Sequence, residues 1–168
     1  MKWLIGICLS LFLLCPLYGQ AYQNRTSDGF RDMSWGETLN EVRKTRNIEF
    51  HHHNDAYNFD VYSSNLRVDE SKFLAGRPIL DNTLILGFWH DQLIMVGVPF
   101  ADQGNDYLIM VAALTQIYGE PEYGGDALYW NNGKSQYAIQ KADQVFLVLI
   151  ISTNFAEKVF EETIQRGW

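Results

Sequence analysis

The chain has 168 residues, of which 47% are hydrophobic and 20% are charged, with 20 acidic residues against 13 basic ones and a formal net charge of −7. This length fits one domain with a normal hydrophobic core. The excess of negative charge argues against nucleic acids and anionic membranes as partners, because both select basic surfaces.

The first 20 residues have the three parts of a secretory signal peptide. Lys2 precedes an apolar run over residues 4–17, and small residues follow at Gly19 and Ala21. The run is shorter than the roughly 20 apolar residues that a membrane-spanning helix needs. We therefore expect residues 1–20 to be removed, after Gly19 or Ala21, and the protein to be periplasmic or secreted without a stable membrane anchor.

Both cysteines of the chain, Cys8 and Cys15, lie inside this signal segment. Cys15 follows a leucine rather than the small residue that precedes lipidated cysteines, so we expect soluble release rather than lipid anchoring. The mature chain would then contain no thiol. This excludes disulfides, zinc–thiolate sites and cysteine nucleophiles from the mature protein.

Polar residues follow the signal, and we predict that residues 21–29 form a flexible leader. The remaining residues, 30–168, are predicted to form one domain.

The first predicted helix begins at Thr38, because Glu41 three residues later completes the spacing of a capping box. Val42 lies on its apolar face, and the helix is predicted to end near Arg46. Trp35, just before the cap, is predicted to be a core residue.

Alternating apolar residues after Ile48 predict β-strands. We predict strands near residues 48–50 and 59–62, a weaker one at 72–80, and a hairpin with arms 83–90 and 93–98 around a turn at Asp91-Gln92.

A second helix is predicted over residues 107–118, ended by Gly119 and Pro121. It is apolar nearly all round, which predicts deep packing against the sheet. Three further strands, at residues 127–130, 136–141 and 145–152, precede a final helix that is predicted to begin at Asn154.

This order predicts an α+β fold in which antiparallel meanders carry the helices on one face. Each half of the domain is a helix followed by a meander, so an internal duplication is an open hypothesis.

The opening Trp35-Gly36-x-Thr38-x-x-Glu41-Val42 resembles the W-G-x-[ST]-x-x-E-V start of exported bacterial domains. The later Tyr118-Gly119-Glu120-Pro121 and Trp130 are similar to their second half. These domains resemble the tandem helix-plus-meander fold of β-lactamase inhibitor proteins and small outer-membrane assembly lipoproteins. The resemblance implies a mostly non-enzymatic role and assigns no functional residue.

His51, His52 and His53, followed by Asp55, form the one cluster with metal-ligand chemistry in the sequence. In a regular strand, His51 and His53 would share a face while His52 points away. The sequence thus offers His51, His53 and Asp55 as candidate metal ligands, although a polar strand end explains the same residues.

The sequence contains no G-x-S-x-G motif, which is typical of many serine hydrolases. A hydrolase with an unrecognised site therefore stays a second alternative.

The aromatic content is high, at 14% of all residues. Most of these rings are expected in the core, but Tyr123, Tyr129 and Trp168 lie near turns or the terminus. These three are the candidate contacts of a binding face, because exposed Tyr and Trp are favoured at protein interfaces. The sequence thus favours a non-enzymatic exported binding or accessory protein with a protein partner and no cofactor.

Overall fold

The computed structural model describes residues 28–67 and 70–167, so the predicted signal peptide and most of the predicted leader lie outside it. The α-helices within these residues are α1 (Leu39–Thr45), α2 (Asp106–Tyr118) and α3 (Thr153–Gln165). The strands are β1 (Gly29–Phe30), β2 (Met33–Ser34), β3 (Ile48–Asn54), β4 (Phe59–Asn65), β5 (Thr83–Trp89), β6 (Gln92–Ala101), β7 (Glu122–Gly124), β8 (Ala127–Asn131), β9 (Ser135–Ala142) and β10 (Val145–Ser152).

Eight of these strands form one antiparallel sheet in the order β3-β4-β5-β6-β10-β9-β8-β7, and β1 pairs with β2 separately. At the centre of the sheet, β6 pairs with β10 in the register that places Val98 opposite Val148. The prediction of an α+β fold built from antiparallel meanders is confirmed.

The two halves of the domain repeat the same order of elements. Helix α1 leads into the meander β3 to β6, and helix α2 leads into the meander β7 to β10. The last strand of each meander lies at the centre, so the two units join through β6 and β10. The tandem helix-plus-meander arrangement that the sequence suggested is therefore present in the fold.

The helices cover both faces of the sheet. Val42 of α1 and Met110 of α2 pack in the cluster on one face, whereas Phe155 and Val159 of α3 pack in the cluster on the other. The prediction that the helices lie on one face is right for α1 and α2 and wrong for α3. Since side chains of β10 alternate between two apolar faces, a second cover is needed, and α3 provides it.

Helix α2 is less deeply buried than its composition predicts. Met110 and Leu114 are fully buried, but Leu108 is 62% exposed and Ile117 is 37% exposed. The apolar outer side of α2 therefore lies at the surface of the described part of the chain.

Two connections differ from their predictions. The hairpin turn lies at His90-Asp91, one residue earlier than predicted, where both residues have positive φ, as a two-residue type I′ turn requires. The predicted strand at residues 72–80 is replaced by two short 3-10 helices, Leu74–Gly76 and Leu80–Asn82. The left-handed Gly76 (φ 68°) is incompatible with a strand there.

The residues of the W-G-x-T motif have structural roles in the fold. Thr38 and Glu41 form the predicted capping box at the start of α1. The Trp35 ring packs against both core clusters, and its Nε1 donates a hydrogen bond of 3.0 Å to Ser135 Oγ in the second half of the domain. The motif thus ties the two halves together.

Gly36 has the left-handed φ of 83°, and its amide donates to the Leu93 carbonyl at 2.9 Å. A Cβ at this position would lie 3.3 Å from Cζ of Phe155. Both the conformation and the close approach of α3 therefore require glycine here.

The second motif has a similar structural role. Trp130 Nε1 donates to the carbonyl of Gly119 at 3.0 Å, directly after α2. The preceding Tyr118 stacks on Tyr137 with ring centroids 4.4 Å apart. These contacts fasten the end of α2 to strands β8 and β9.

A cluster of buried charges anchors the end of α1. The Arg46 side chain is 1% exposed, and its guanidinium contacts Glu70, at 2.6 Å between Nη2 and Oε1, and also Asp32. Arg67 adds a second contact to Glu70, at 3.0 Å. Burial alone would raise the pKa of Glu70, but hydrogen bonds from Arg46 and the Arg67 backbone lower it overall.

We predict that Gly36→Ala destabilises the protein more than Gly104→Ala does. Gly104 has nearly the same φ, 84°, but no atom lies within 4 Å of the position that a Cβ would take there. Both substitutions carry the cost of a left-handed alanine, about 1 kcal/mol. Gly36→Ala adds crowding against Phe155, roughly a further 1 kcal/mol. Equal urea midpoints for the two variants would contradict the contact with α3.

We also predict that Glu70→Gln lowers the free energy of unfolding by about 3 kcal/mol at pH 7, because it leaves the buried Arg46 charge poorly paired. The exposed Glu49→Gln serves as the control, with no comparable loss expected.

The effect of Glu70→Gln should depend on pH. Because the pKa of Glu70 is lowered in the folded state, its stabilisation is complete above the unfolded pKa, about 4.3, and is lost as the pH falls through the folded pKa. The wild type and the variant should therefore converge in urea midpoint below about pH 4. A difference that stays constant down to the acid transition would contradict this role of Glu70.

Candidate functional site

The histidine cluster does not have the geometry that a regular strand would give it. A β-bulge between Phe50 and His52 leaves His51 outside the regular pairing, which interrupts the alternation expected to place His51 and His53 on one face. His53 Nδ1 instead lies 2.7 Å from Asp60 Oδ1, with Asp55 Oδ1 4.0 Å from Nε2.

Across residues 28–67 and 70–167, no three His, Cys, Asp or Glu side chains are grouped so that they could hold a metal ion. Burial, followed by the charges of His51 and His53, lowers the pKa of His52, which keeps that ring neutral. Metal binding by His51, His53 and Asp55 stays a prediction that this geometry does not favour.

The remaining histidine, His90, lies in the β5–β6 turn and contacts α3. Its Nε2 is 2.8 Å from Glu162 Oε2, and Asn58 Nδ2 donates to Glu162 Oε1 at 2.8 Å. These two hydrogen bonds lower the pKa of Glu162. In the described ranges, the side-chain hydrogen-bond partners of His53 and His90 are both carboxylates.

The three candidate contact residues have different positions. Tyr123 is 82% exposed, so it lies on the surface as predicted. Tyr129 is only 5% exposed and packs in the core cluster beneath α3, which removes it from any binding face. The reason is strand alternation, because β8 directs Tyr129 and Trp130 to opposite faces. Trp168 lies outside the described residues.

Tyr123 is placed by β7, the edge strand of the sheet, where it pairs with Leu128 of β8. Burial, and then the nearby charges of Lys141 and Tyr123, shift the pKa of Tyr107, with a net rise. Leu108, next to Tyr107 at the start of α2, is 62% exposed.

Three acidic residues surround Tyr123 in the sequence, and all are exposed: Glu120, Glu122 and Asp126. We call Tyr107, Leu108 and Tyr123, together with these three acids, the tyrosine surface. The sequence offered Tyr123 for this surface but not Leu108. The helical period of 3.6 residues could have identified Leu108, because it places Leu108 on the side of the helix opposite Met110 and Leu114.

The cation nearest to the tyrosine surface is already paired. Lys141 Nζ contacts Asp102 and lies 5.6 Å from the centre of the Tyr107 ring. Hydrogen bonds from Lys141 and from the Tyr107 amide lower the pKa of Asp102. Lys141 thus holds Tyr107 in place, while the acids around Tyr123 determine the sign of the local charge.

Among the helices of the described residues, none combines the length and the hydrophobicity needed to cross a membrane. Comparison with protein-family models, with curated proteins and with solved structures finds no match to this chain.

Proposed function

We propose that this protein is a non-enzymatic binding or accessory protein that acts after export and docks on a partner protein through the tyrosine surface. The observation that carries the proposal is the 82% exposure of Tyr123 on an edge strand, together with the 62% exposure of Leu108 on α2.

The composition of this surface supports a protein partner. Protein interfaces are enriched in aromatic residues and depleted of charge at their centres. Helix α2 has one charged residue, Asp106, which pairs with Arg77 at 2.7 Å. Its outer side therefore offers uncharged, apolar area, including the exposed Leu108 and Ile117.

The acids at the border of the tyrosine surface specify the partner further. Glu120, Glu122 and Asp126 lie around an aromatic residue that can enter a pocket. A matching partner has an apolar pocket for Tyr123 with Lys or Arg at its border, because complementary charges steer association and exclude wrong partners.

The edge strand favours recognition through side chains rather than through backbone pairing. Strand β7 has three residues, Glu122–Gly124, which leaves few backbone groups for an added strand. Affinity must then come from Tyr123 and its apolar neighbours, as in interfaces where a few buried anchors dominate.

The non-enzymatic part of the proposal is supported by the carboxylate contacts of His53 and His90, which link structural elements. The resemblance to exported domains of mostly non-enzymatic role points the same way.

We predict that Tyr123→Ala weakens binding to the partner at least tenfold, since an aromatic anchor contributes about 2 kcal/mol or more. The protein, as processed and exported by its own source cells, would first capture the partner from an envelope fraction. Affinities would then be measured with the purified partner. Phe50→Ala is the matched control, because Phe50 is a 53% exposed aromatic on β3, the opposite edge strand.

Wild-type affinity of Tyr123→Ala for the purified partner would refute docking through this surface. Equal loss of affinity with Phe50→Ala would refute it as well, because the effect would not be specific to β7.

We further predict that Glu122→Lys slows association with the same partner and weakens the salt dependence of its rate, because it reduces the negative charge of the three acids without reversing its sign. Screening at 0.15 M salt acts over about 8 Å, so added salt should slow the wild type more than the variant. Stopped-flow association at several salt concentrations checks this. A wild-type rate that is independent of salt would contradict a partner with a basic pocket border.

A further inference from the structure

A cleft of about 470 Å³ lies at the start of helix α3, and none of its lining residues belongs to the tyrosine surface. Its size falls within the range of small-ligand sites. Its lining includes Asp28, Trp35, Lys134, Ser152, Phe155 and Glu157.

The first turn of α3 lines this cleft without a side-chain cap. The sequence predicts a helix start at Asn154 with Glu157 three residues later, but the helix begins at Thr153 with Ser152 as its N-cap. No side chain of the described residues caps the first-turn amides. Free amides at a helix start carry partial positive charge and favour an anionic oxygen.

A second observation points to a ligand at this place. Ser152 is 3% exposed and lines the cleft, yet its hydroxyl makes no capping hydrogen bond. The adjacent Thr153 Oγ1 is buried without a hydrogen-bond partner among the described residues. Buried hydroxyls are normally bonded, so Thr153 Oγ1 leaves a donor unused beside the helix start, and the Ser152 hydroxyl does not cap the first-turn amides.

Two aromatic side chains, those of Trp35 and Phe155, line the cleft, and contacts with the rest of the domain fix their positions. Trp35 is fixed by its hydrogen bond to Ser135. Phe155, in the first turn of α3, is only 9% exposed. The Lys134 carbonyl accepts a hydrogen bond of 3.0 Å from the Thr153 amide, which docks the β8–β9 turn on the helix start. An apolar group next to the anionic oxygen would therefore contact two rings.

The charges at the mouth of the cleft limit the charge of the ligand. Lys134 Nζ lies 2.7 Å from Asp28 Oδ2, so its charge is largely compensated, and Glu157 adds a negative charge. A polyanion would be strongly repelled by these carboxylates, whereas the weaker repulsion of a single carboxylate can be offset by the amides of the helix start.

We propose that this cleft binds one carboxylate carried by a compact apolar body, as in a free amino acid or the last residue of a peptide. The carboxylate accepts from the Asn154 and Phe155 amides of α3 and from the Ser152 hydroxyl, while the apolar body lies against Trp35 and Phe155.

The test uses N-acetyl-L-leucine and N-acetyl-L-leucinamide, which differ only in the carboxylate, on the full processed protein. We expect the acid to shift the ¹H–¹⁵N resonances of Asn154 and Phe155 in a saturable manner and the amide to bind at least tenfold more weakly. Free L-leucine distinguishes the two sources, because tighter binding than the acetylated form indicates an amino acid and weaker binding indicates a peptide end.

The variant Ser152→Ala should weaken N-acetyl-L-leucine about tenfold, as expected for losing a hydrogen bond to a charged group. Ser64→Ala is the matched control, since Ser64 is a fully buried serine on β4 outside the cleft. A dispersed spectrum of each variant confirms that it is folded.

Three results would overturn the proposal. They are equal binding of the acid and the amide, binding of inorganic phosphate as tight as that of the acid, and unchanged affinity for the acid in folded Ser152→Ala. Because the tyrosine surface shares no residue with this cleft, each of these results leaves the Tyr123→Ala test unaffected.

Discussion

The pairing of β6 with β10 is the interaction on which the rest of the molecule depends. It joins the two helix-and-meander units along seven residue pairs, and residues Phe146 to Ile151 of β10 are each no more than 2% exposed. Burying each large apolar side chain contributes about 1.5–3 kcal/mol, so this strand provides the common core of both units. Since β10 presents apolar side chains to both faces, it requires α2 on one side and α3 on the other. The edge strands and the loops then take their positions from this centre.

Much of this architecture could be predicted from the sequence, because the signals were local. The Thr38–Glu41 capping box, the apolar run of β10 and the end of α2 at Gly119 depend on neighbouring residues, and the structure agrees with each. The face covered by α3 could not be predicted, because it depends on which side of the sheet α1 and α2 leave open. The exposure of Leu108 and the bulge at His51 likewise depend on distant packing and on strand register.

The candidate sites show the same division between local and tertiary information. Tyr123 could be proposed from its turn-rich surroundings, while Tyr129 needed the strand direction of β8 before its burial was apparent. The cleft could not be predicted, because Trp35, Lys134 and Ser152 come from three separated segments. Moreover, the expected cap at Asn154 would have satisfied the amides that the structure leaves free. The two proposed sites lie on different elements, so this domain could bind a partner and a small ligand independently.

The two edges of the sheet have a further consequence for the behaviour of the protein in solution. Unpaired backbone groups at the edge of a sheet can pair with another chain and start aggregation. At one edge, the bulge in β3 interrupts the regular backbone pattern that an incoming strand would need. At the other edge, the three residues of β7 offer too short a template. The irregular histidine segment thus hinders intermolecular sheet growth at this edge.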